Sequence, residues 1–231
     1  MLGSEQRPLL PAAPTSVGAY PPLVVLAGPP GAGKGTQCRH LVQHLDMVHV
    51  SIGDTLRQEV EDGTPLGSRV RACLETGRLV PDCDVSEVVA ERLARHRAAS
   101  AVLLDGFPRT LGQAEMLERI RPSAVGLVVL LVVPLATVFR RLCDRGRADD
   151  GDLDVVAERM LSYDRDTRPV LAWYASRGLL AHIDGNAPAR DVTARIEGQL
   201  DAFGLRCSRA EPAGTTTTAR IGSEPTWTGA S

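Results

Sequence analysis

The chain has 231 residues, the length of one or two domains and enough to bury a substantial core. Its net charge is −2 and only 3% of its residues are aromatic, so its composition does not indicate a nucleic-acid-binding surface. The uncharged run at residues 124–139 is too short to span a membrane and contains Pro134. The five cysteines lack paired spacing, which indicates reduced thiols and a cytoplasmic location.

Apolar runs alternate with amphipathic segments along the chain. The runs predict five strands, near residues 23–27, 47–50, 101–104, 125–133 and 180–183. The amphipathic segments predict helices near residues 34–45, 53–62, 66–76, 84–98, 111–120, 135–143, 154–177 and 189–202. This alternation predicts an α/β fold in which helices cover both faces of a parallel sheet and ligands bind at the carboxyl ends of the strands.

The two ends of the chain differ in composition from the middle. Residues 1–21 are rich in Pro, Ala and Ser, and they lack the basic start and apolar stretch of a signal peptide. Residues 206–231 are rich in Thr, Ala, Gly and Ser, with few large apolar side chains. We therefore expect disorder over residues 1–21 and 204–231, and a folded domain over residues 22–203.

The segment Gly28-Pro-Pro-Gly-Ala-Gly-Lys34-Gly-Thr36 directly follows the first predicted strand and leads into a helix, which is the context of a phosphate-binding loop. Its glycines allow several backbone N–H groups to point at one anion, and the helix N-terminus adds partial positive charge. Lys34 supplies a full charge for the outer phosphates. The Thr36 hydroxyl suits a phosphate-bound Mg²⁺, although Gly35 separates it from the lysine. The segment predicts a nucleoside triphosphate site.

A second cluster, Asp105-Gly-Phe-Pro-Arg109-Thr110, follows the third predicted strand. Asp105 stands at the carboxyl end of that strand, where it could hold the hydration shell of Mg²⁺. Pro108 restricts the local backbone. The planar guanidinium of Arg109 can bind two phosphate oxygens at once. The cluster therefore predicts a second group of phosphate contacts beside the first.

Five segments resemble the successive motifs of the adenylate kinase family, in the family's order and spacing: residues 28–37, 51–57, 77–82, 105–110 and 145–150. The resemblance covers about residues 22–203 and is to the short-lid type of nucleoside monophosphate kinase. It implies a P-loop three-layer α/β/α fold with a five-stranded parallel sheet, a helical monophosphate-binding insert at residues 51–80 and a short lid at residues 145–153. It also implies a monomer that transfers a phosphoryl group reversibly from ATP to AMP with Mg²⁺.

The same resemblance implies roles for individual residues. The catalytic set comprises Lys34, Arg109, Arg141, Arg147 and Arg159. The ATP-binding set comprises Gly31, Ala32, Gly33, Lys34, Gly35, Thr36, Arg141, Arg145 and Ala187. The AMP-binding set comprises Ile52, Arg57, Arg78, Leu79, Val80, Gly106, Phe107, Pro108, Arg109, Gln113, Arg147 and Arg159. Mg²⁺ is expected near Thr36 and Asp105, held through ATP and water, and no zinc site is expected.

The sequence leaves two readings of the acceptor base open. The family usually has Thr where this chain has Ile52, and loss of that hydroxyl would remove a hydrogen bond worth about 0.5–1.5 kcal/mol. Ile52 could instead fill the same space with an apolar contact. A UMP/CMP-type or broad nucleoside monophosphate kinase is therefore an alternative, against which Gln113 argues. A second alternative is a nucleotide-binding protein that catalyses no reaction. The set of phosphate-contacting arginines argues against it.

Overall fold

The computed structural model describes residues 20–145 and 151–205. Residues 1–19 and 206–231 of the expected tails lie outside the described residues, as do residues 146–150 of the expected lid, which include Arg147. Arg145 ends a helix, but its side chain is also outside the description.

Five short apolar segments form one parallel sheet within the described residues. They are β1 (Leu23–Ala27), β2 (Val48–Ser51), β3 (Val102–Asp105), β4 (Val125–Val132) and β5 (Leu180–Asp184). The strand order is β2-β3-β1-β4-β5, with parallel pairing between all neighbours. The central strand β1 is buried along its whole length, since both faces of a parallel sheet are covered. The predicted α/β fold with a five-stranded parallel sheet is confirmed.

Helices connect the strands and cover the sheet. They are α1 (Lys34–His44), α2 (Ile52–Glu61), α3 (Pro65–Glu75), α4 (Asp82–Arg95), α5 (Leu111–Ile120), α6 (Leu135–Arg145), α7 (Leu153–Ser162), α8 (Arg168–Ala175) and α9 (Ala189–Ala202). Local chemistry sets several of their starts. Ser51 and Thr64 accept hydrogen bonds from the first turns of α2 and α3, and Pro65 occupies the first turn of α3, where its missing N–H costs nothing.

The single helix expected over residues 154–177 is divided in the structure. A π-helical turn, Tyr163–Thr167, lies between α7 and α8, and the N–H of Arg168 donates to the carbonyl of Tyr163. Pro169 explains the interruption, because proline lacks the N–H that an α-helix needs and its ring crowds the carbonyl four residues earlier. The wider π turn accommodates the proline without breaking the helical path.

The two faces of the sheet bury separate hydrophobic cores. Alternate residues of β1 point to opposite faces, so Leu23 and Val25 belong to one core while Val24 and Leu26 belong to the other. The first core also includes apolar side chains of α2, α4 and α5, and the second includes those of α1 and α9. This packing covers both faces of the sheet and leaves its carboxyl edge as the place where the loops converge.

The packed chain extends two residues beyond each end of the range 22–203. Pro21 is buried, and the ring of Tyr20 lies 4.0 Å from the guanidinium carbon of Arg121. At the other end Leu205 is 8% exposed and packs over Gly126 in β4. Each end thus attaches one apolar or aromatic side chain to the domain. No helix in residues 20–145 or 151–205 has the length and hydrophobicity of a membrane span.

Candidate active site

The carboxyl ends of β1, β2 and β3 open into one cleft of about 950 Å³, a volume typical of small-molecule sites. The cleft brings together almost every residue singled out from the sequence. Those that line it are Gly31, Ala32, Gly33, Lys34, Gly35, Thr36, Ile52, Arg57, Arg78, Leu79, Val80, Asp105, Gly106, Phe107, Pro108, Arg109, Gln113, Arg141, Arg159 and Ala187. The exceptions are Arg145 and Arg147, whose side chains lie outside the described part of the structure.

The phosphate loop runs from the end of β1 into the first turn of α1. Gly31 has φ +77°, and a Cβ there would lie 2.8 Å from the carbonyl oxygen of Val138 in α6. Only glycine therefore fits both the backbone angle and the close approach of α6. The Nζ atom of Lys34 donates to the carbonyl oxygens of Gly28 at 2.8 Å and Pro29 at 3.0 Å. The ammonium group is thus held at the loop.

Lys34 is the only lysine in the chain, and every other cationic side chain except histidine is an arginine. This single lysine lies in the phosphate loop. A lysine places a compact point charge on a flexible stem, whereas the broad guanidinium of arginine has a fixed planar geometry. The composition of the chain therefore sets this position apart from the rest of its basic residues.

Asp105 lies at the carboxyl end of β3, directly beside the start of α1. Its Oδ2 atom is 4.0 Å from where a Cβ on Gly35 would stand, next to Thr36. Burial raises the pKa of Asp105, but His49, Lys34 and Arg109 outweigh that effect and lower it below its ordinary value. Asp105 is therefore an anion at neutral pH. The hydroxyl and the carboxylate are oxygen ligands of the kind that Mg²⁺ prefers, so the two residues fit this ion.

His49, on β2, was not singled out from the sequence. Its Nε2 atom is 3.8 Å from Asp105 Oδ2, which is too long for a hydrogen bond, and it has no hydrogen-bond partner among the described residues. The Cys38 thiol lies close to both side chains. Burial, and secondarily the charge of Asp105, raises the pKa of that thiol. Cys38 is therefore an uncharged packing residue at neutral pH, while His49 is an electrostatic neighbour of Asp105.

Three arginines from different elements meet on the side of the cleft that is formed by α2, α7 and the loop after β3. Arg57 comes from α2, Arg109 from the loop after β3, and Arg159 from α7. Burial lowers the pKa of Arg109, and the charges of Arg159 and Arg57 lower it further, although Asp105 opposes them. Such repulsion between like charges favours binding of an anion among them. Asp54 forms an ion pair with Arg57 on the same helix.

Arg141 of α6 joins the phosphate loop to the loop after β5. Its Nη1 atom donates to the carbonyl oxygen of Ala32 at 3.1 Å, and its Nη2 atom donates to that of Gly185 at 2.9 Å. Ala187, two residues beyond Gly185, lines the same part of the cleft. The guanidinium therefore lies beside the phosphate loop with its orientation set by two backbone carbonyls.

Hydrogen bonds fix the backbone of Arg109 from both sides. Its N–H donates to Oε1 of Gln113 at 2.7 Å, and its carbonyl accepts from the Thr167 hydroxyl at 3.2 Å. The Nε atom of its side chain donates to the carbonyl of Gly106 at 2.8 Å. Thr167 belongs to the π-helical turn and stands 58 residues away in the sequence, so no local pattern could have identified it.

Asp82 is a third residue whose contribution the sequence did not reveal, after His49 and Thr167. It begins α4, and its two carboxylate oxygens accept hydrogen bonds from Gln113 Nε2 at 2.8 Å and from the Thr110 hydroxyl at 2.9 Å. The Thr110 hydroxyl in turn accepts from the N–H of Gln113 and so begins α5. Asp82 is the last residue of the segment 77–82, which resembles a family motif. That resemblance is the sequence feature that could have indicated a role for Asp82.

Apolar side chains form the floor of the cleft on the same side as these arginines. Ile52, Val80 and Phe107 are 2%, 6% and 1% exposed, and all three belong to the hydrophobic core on that face of the sheet. Ile52 therefore packs in the core as well as lining the cleft. Leu79 is half-buried beside them, and Arg78 is exposed at the rim.

Comparisons with known proteins agree with this geometry. The family model described as Adenylate kinase matches residues 26–179. Adenylate kinases from Cyanothece sp. and Thermus thermophilus are each 44% identical to the chain, over 184 and 185 residues, which is 77% of this chain and 94% and 96% of those proteins. The adenylate kinase of Thermobifida fusca is 42% identical over 178 residues, which is 74% of this chain and 94% of that protein. The predicted resemblance is confirmed, and the chain belongs to the adenylate kinase family.

Proposed function

We propose that the chain catalyses the reversible, Mg²⁺-dependent transfer of a phosphoryl group from ATP to AMP, giving two ADP. The observation that carries this proposal is the presence of two cationic groups in one cleft. The phosphate loop with Lys34 forms one group, and the arginine cluster of Arg57, Arg109 and Arg159 forms the other. A donor and an acceptor nucleotide can then bind with their phosphates facing each other.

The donor triphosphate would bind at the phosphate loop. Backbone N–H groups at the start of α1 and the ammonium of Lys34 would contact its phosphate oxygens, and Arg141 would contact them from α6. Thr36 and the water-mediated carboxylate of Asp105 would hold Mg²⁺. When bound, that ion would neutralise charge on the triphosphate oxygens.

The acceptor would bind between the insert and the loop after β3. Arg57 and Arg109 would hold its phosphate, while Ile52, Val80 and Gly106 contact the nucleoside and Gln113 contacts the base. No general base is needed, since a phosphate monoester with a second pKa of about 6 is already mostly a dianion at neutral pH. The insert at residues 51–80 is thus the proposed monophosphate-binding unit.

Transfer requires in-line placement of the phosphates and exclusion of water. Arg159, with Arg145 and Arg147 of the short lid at residues 145–153, would surround the transferred group when the lid closes, and opening would then limit turnover. We further propose a monomer in the cytoplasm. The four cysteines within the described residues are free thiols, which supports a reducing compartment.

Steady-state transfer with MgATP and a panel of AMP, dAMP, CMP, UMP and GMP tests the proposal. A strong preference for AMP is expected, and a preference for pyrimidine nucleotides would support the UMP/CMP-type alternative and implicate Ile52. Replacement of Lys34 with Met or of Arg109 with Ala should lower kcat/KM by at least 100-fold in a folded protein. Near-normal activity in either variant would contradict the role proposed for that residue.

The composition of the chain permits a chemical test as well. Because Lys34 is the only lysine, an amine-directed reagent such as acetic anhydride can modify it and the N-terminal amine alone among the amines of the protein. Saturating MgATP should protect Lys34 from modification, measured by peptide mass spectrometry, while the N-terminal amine serves as the unprotected internal reference. Equal modification with and without MgATP would contradict a phosphate contact at Lys34.

A further inference from the structure

The amide of Gln113 is fixed in one orientation by the chemistry of its two neighbours. Its Nε2 atom donates to Asp82 Oδ1 at 2.8 Å, and its Oε1 atom accepts the backbone N–H of Arg109 at 2.7 Å. A carboxylate only accepts hydrogen bonds and a backbone N–H only donates them. A flipped amide would therefore place oxygen against oxygen at one end and N–H against N–H at the other.

The carboxylate of Asp82 is itself held in place. Its Oδ2 atom accepts from the Thr110 hydroxyl at 2.9 Å, and that hydroxyl accepts from the N–H of Gln113 at 3.1 Å. A Cβ on Gly112 would lie only 2.8 Å from the same Oδ2 atom, so the carboxylate is packed closely against the start of α5. Gln113 is 2% exposed, which leaves its amide little room to turn.

The fixed amide retains one N–H and one oxygen lone pair beyond these two bonds. Adenine presents an amino donor at position 6 and an acceptor at N1. A 6-oxopurine presents the reverse, an acceptor oxygen at position 6 and a donor N1–H. An amide that is free to rotate matches either base, because rotation by 180° exchanges its donor and acceptor. An amide held with its oxygen and nitrogen in set positions matches only one of them.

We propose that Asp82 is a positioning residue that makes the cleft select a 6-aminopurine over a 6-oxopurine, by fixing the orientation of the Gln113 amide. The inference rests on the proposed function, in which Gln113 contacts the acceptor base. Discrimination then comes from the unpaired groups that the wrong base leaves facing Gln113. Asp82 acts through Gln113 and touches neither the base nor the transferred phosphate.

The variant Asp82→Asn tests this inference, because asparagine has nearly the same shape but can both donate and accept. Its side chain can pair with either orientation of the Gln113 amide, which leaves the Arg109 N–H as the one remaining group that opposes the flipped amide. The full-length enzyme would be assayed with MgATP and either AMP or IMP, which differs from AMP only in carrying the 6-oxo group and N1–H. We expect the ratio of kcat/KM for AMP to that for IMP to fall at least tenfold in Asp82→Asn, mainly through a gain with IMP. Asp82→Ser, which also donates and accepts, replaces it if Asp82→Asn does not fold.

Asp84→Asn provides the matched control on the same helix. The Asp84 carboxylate accepts from Arg69 at 3.0 and 2.7 Å and has no contact with Gln113 among the hydrogen bonds of the described residues. The ratio of kcat/KM for AMP to that for IMP in Asp84→Asn should equal the ratio in the wild type. A merely structural role for Asp82 would lower kcat/KM for both nucleotides equally, and an unchanged ratio in a folded Asp82 variant would overturn the inference.

A double-mutant cycle with Gln113→Ala shows whether the effect passes through the amide. In the Gln113→Ala background, Asp82→Asn should leave the AMP-to-IMP ratio unchanged, and a tenfold fall there would also overturn the inference. Failure of the proposed function has a different result: the wild type would then transfer phosphate to none of the monophosphates. In that case AMP and IMP affinities, measured by calorimetry, replace kcat/KM, and the same ratios decide the outcome.

Discussion

Replacement of Gly31 with Ala would test whether the phosphate loop is shaped by its contact with α6. The new Cβ would lie 2.8 Å from the Val138 carbonyl oxygen and 3.0 Å from Cγ of Leu142, at a backbone φ of +77°. The left-handed conformation costs an alanine roughly 1–2 kcal/mol, and overpacking against α6 adds roughly 1–3 kcal/mol. The loop, α6 or both must therefore shift, at the expense of stability and of triphosphate binding.

Gly63→Ala separates the cost of the left-handed backbone conformation from the cost of overpacking against α6. Gly63 has φ +66°, and a Cβ there would meet nothing within 4 Å, so it carries the backbone cost without the steric one. Both variants reduce the freedom of the unfolded chain equally. The difference between their free energies of unfolding should therefore equal the overpacking cost, roughly 1–3 kcal/mol. Gly198→Ala, in open space on helix α9, should instead stabilise the protein by roughly 0.5–1 kcal/mol.

Urea denaturation of the three variants measures these differences, with the slope m checked for constancy. Fluorescence or calorimetric titration with MgATP would show whether Gly31→Ala also weakens triphosphate binding while Gly63→Ala does not. If Gly31→Ala destabilises the protein no more than Gly63→Ala, the contact with α6 does not constrain the loop. The steric argument for glycine at this position would then be refuted.

Two further predictions concern Arg109 and Asp105. Thr167→Val removes the hydroxyl that donates to the Arg109 carbonyl, so stability should fall by about 0.5–1.5 kcal/mol and KM for AMP should rise. Thr76→Val is the control, because within the described residues the Thr76 hydroxyl donates to carbonyls of the preceding helix turn. Equal KM values for both variants would contradict the prediction. The lowered pKa of Asp105 means that its ionised form stabilises the fold above the ordinary aspartate pKa of about 3.9 and that this contribution is lost as pH falls through the lowered pKa. The difference in free energy of unfolding between the wild type and Asp105→Asn should therefore be constant above about pH 5 and shrink below about pH 4, and a constant difference down to pH 3 in urea denaturation would contradict it.

Much of the candidate site was visible in the sequence, because its residues fall in continuous segments. The phosphate loop and the segment 105–110 each follow an apolar strand, and parallel strands bring their carboxyl ends to one edge of the sheet. The meeting of Lys34 with Asp105 therefore follows from the strand pattern alone. His49 was missed because one histidine in an apolar strand is more often a packing residue, and only the pairing of β2 with β3 places it beside Asp105.

The contacts that join distant segments could not be deduced in this way. Thr167 contacts Arg109 because Pro169 imposes a π-helical turn, and no local pattern indicates the direction in which such a turn points its side chains. Asp82 and Gln113 stand 31 residues apart, on helices whose relative placement depends on how α4 and α5 pack over the sheet. Hydrogen bonds of this kind depend on distances of a few tenths of an ångström, which only the packed chain sets.

The sequence by itself determined the α/β architecture and the family, and its motifs indicated many of the residues that line the cleft. These properties are encoded locally, in hydrophobic periodicity and in short motifs with fixed spacing. The tertiary structure decided how those residues are oriented: the π turn within the expected helix, the three arginines brought together from separate elements, and the amide of Gln113 held between Asp82 and Arg109. The physical reason is that orientation results from packing and hydrogen bonding between segments far apart in the chain, which no local pattern records.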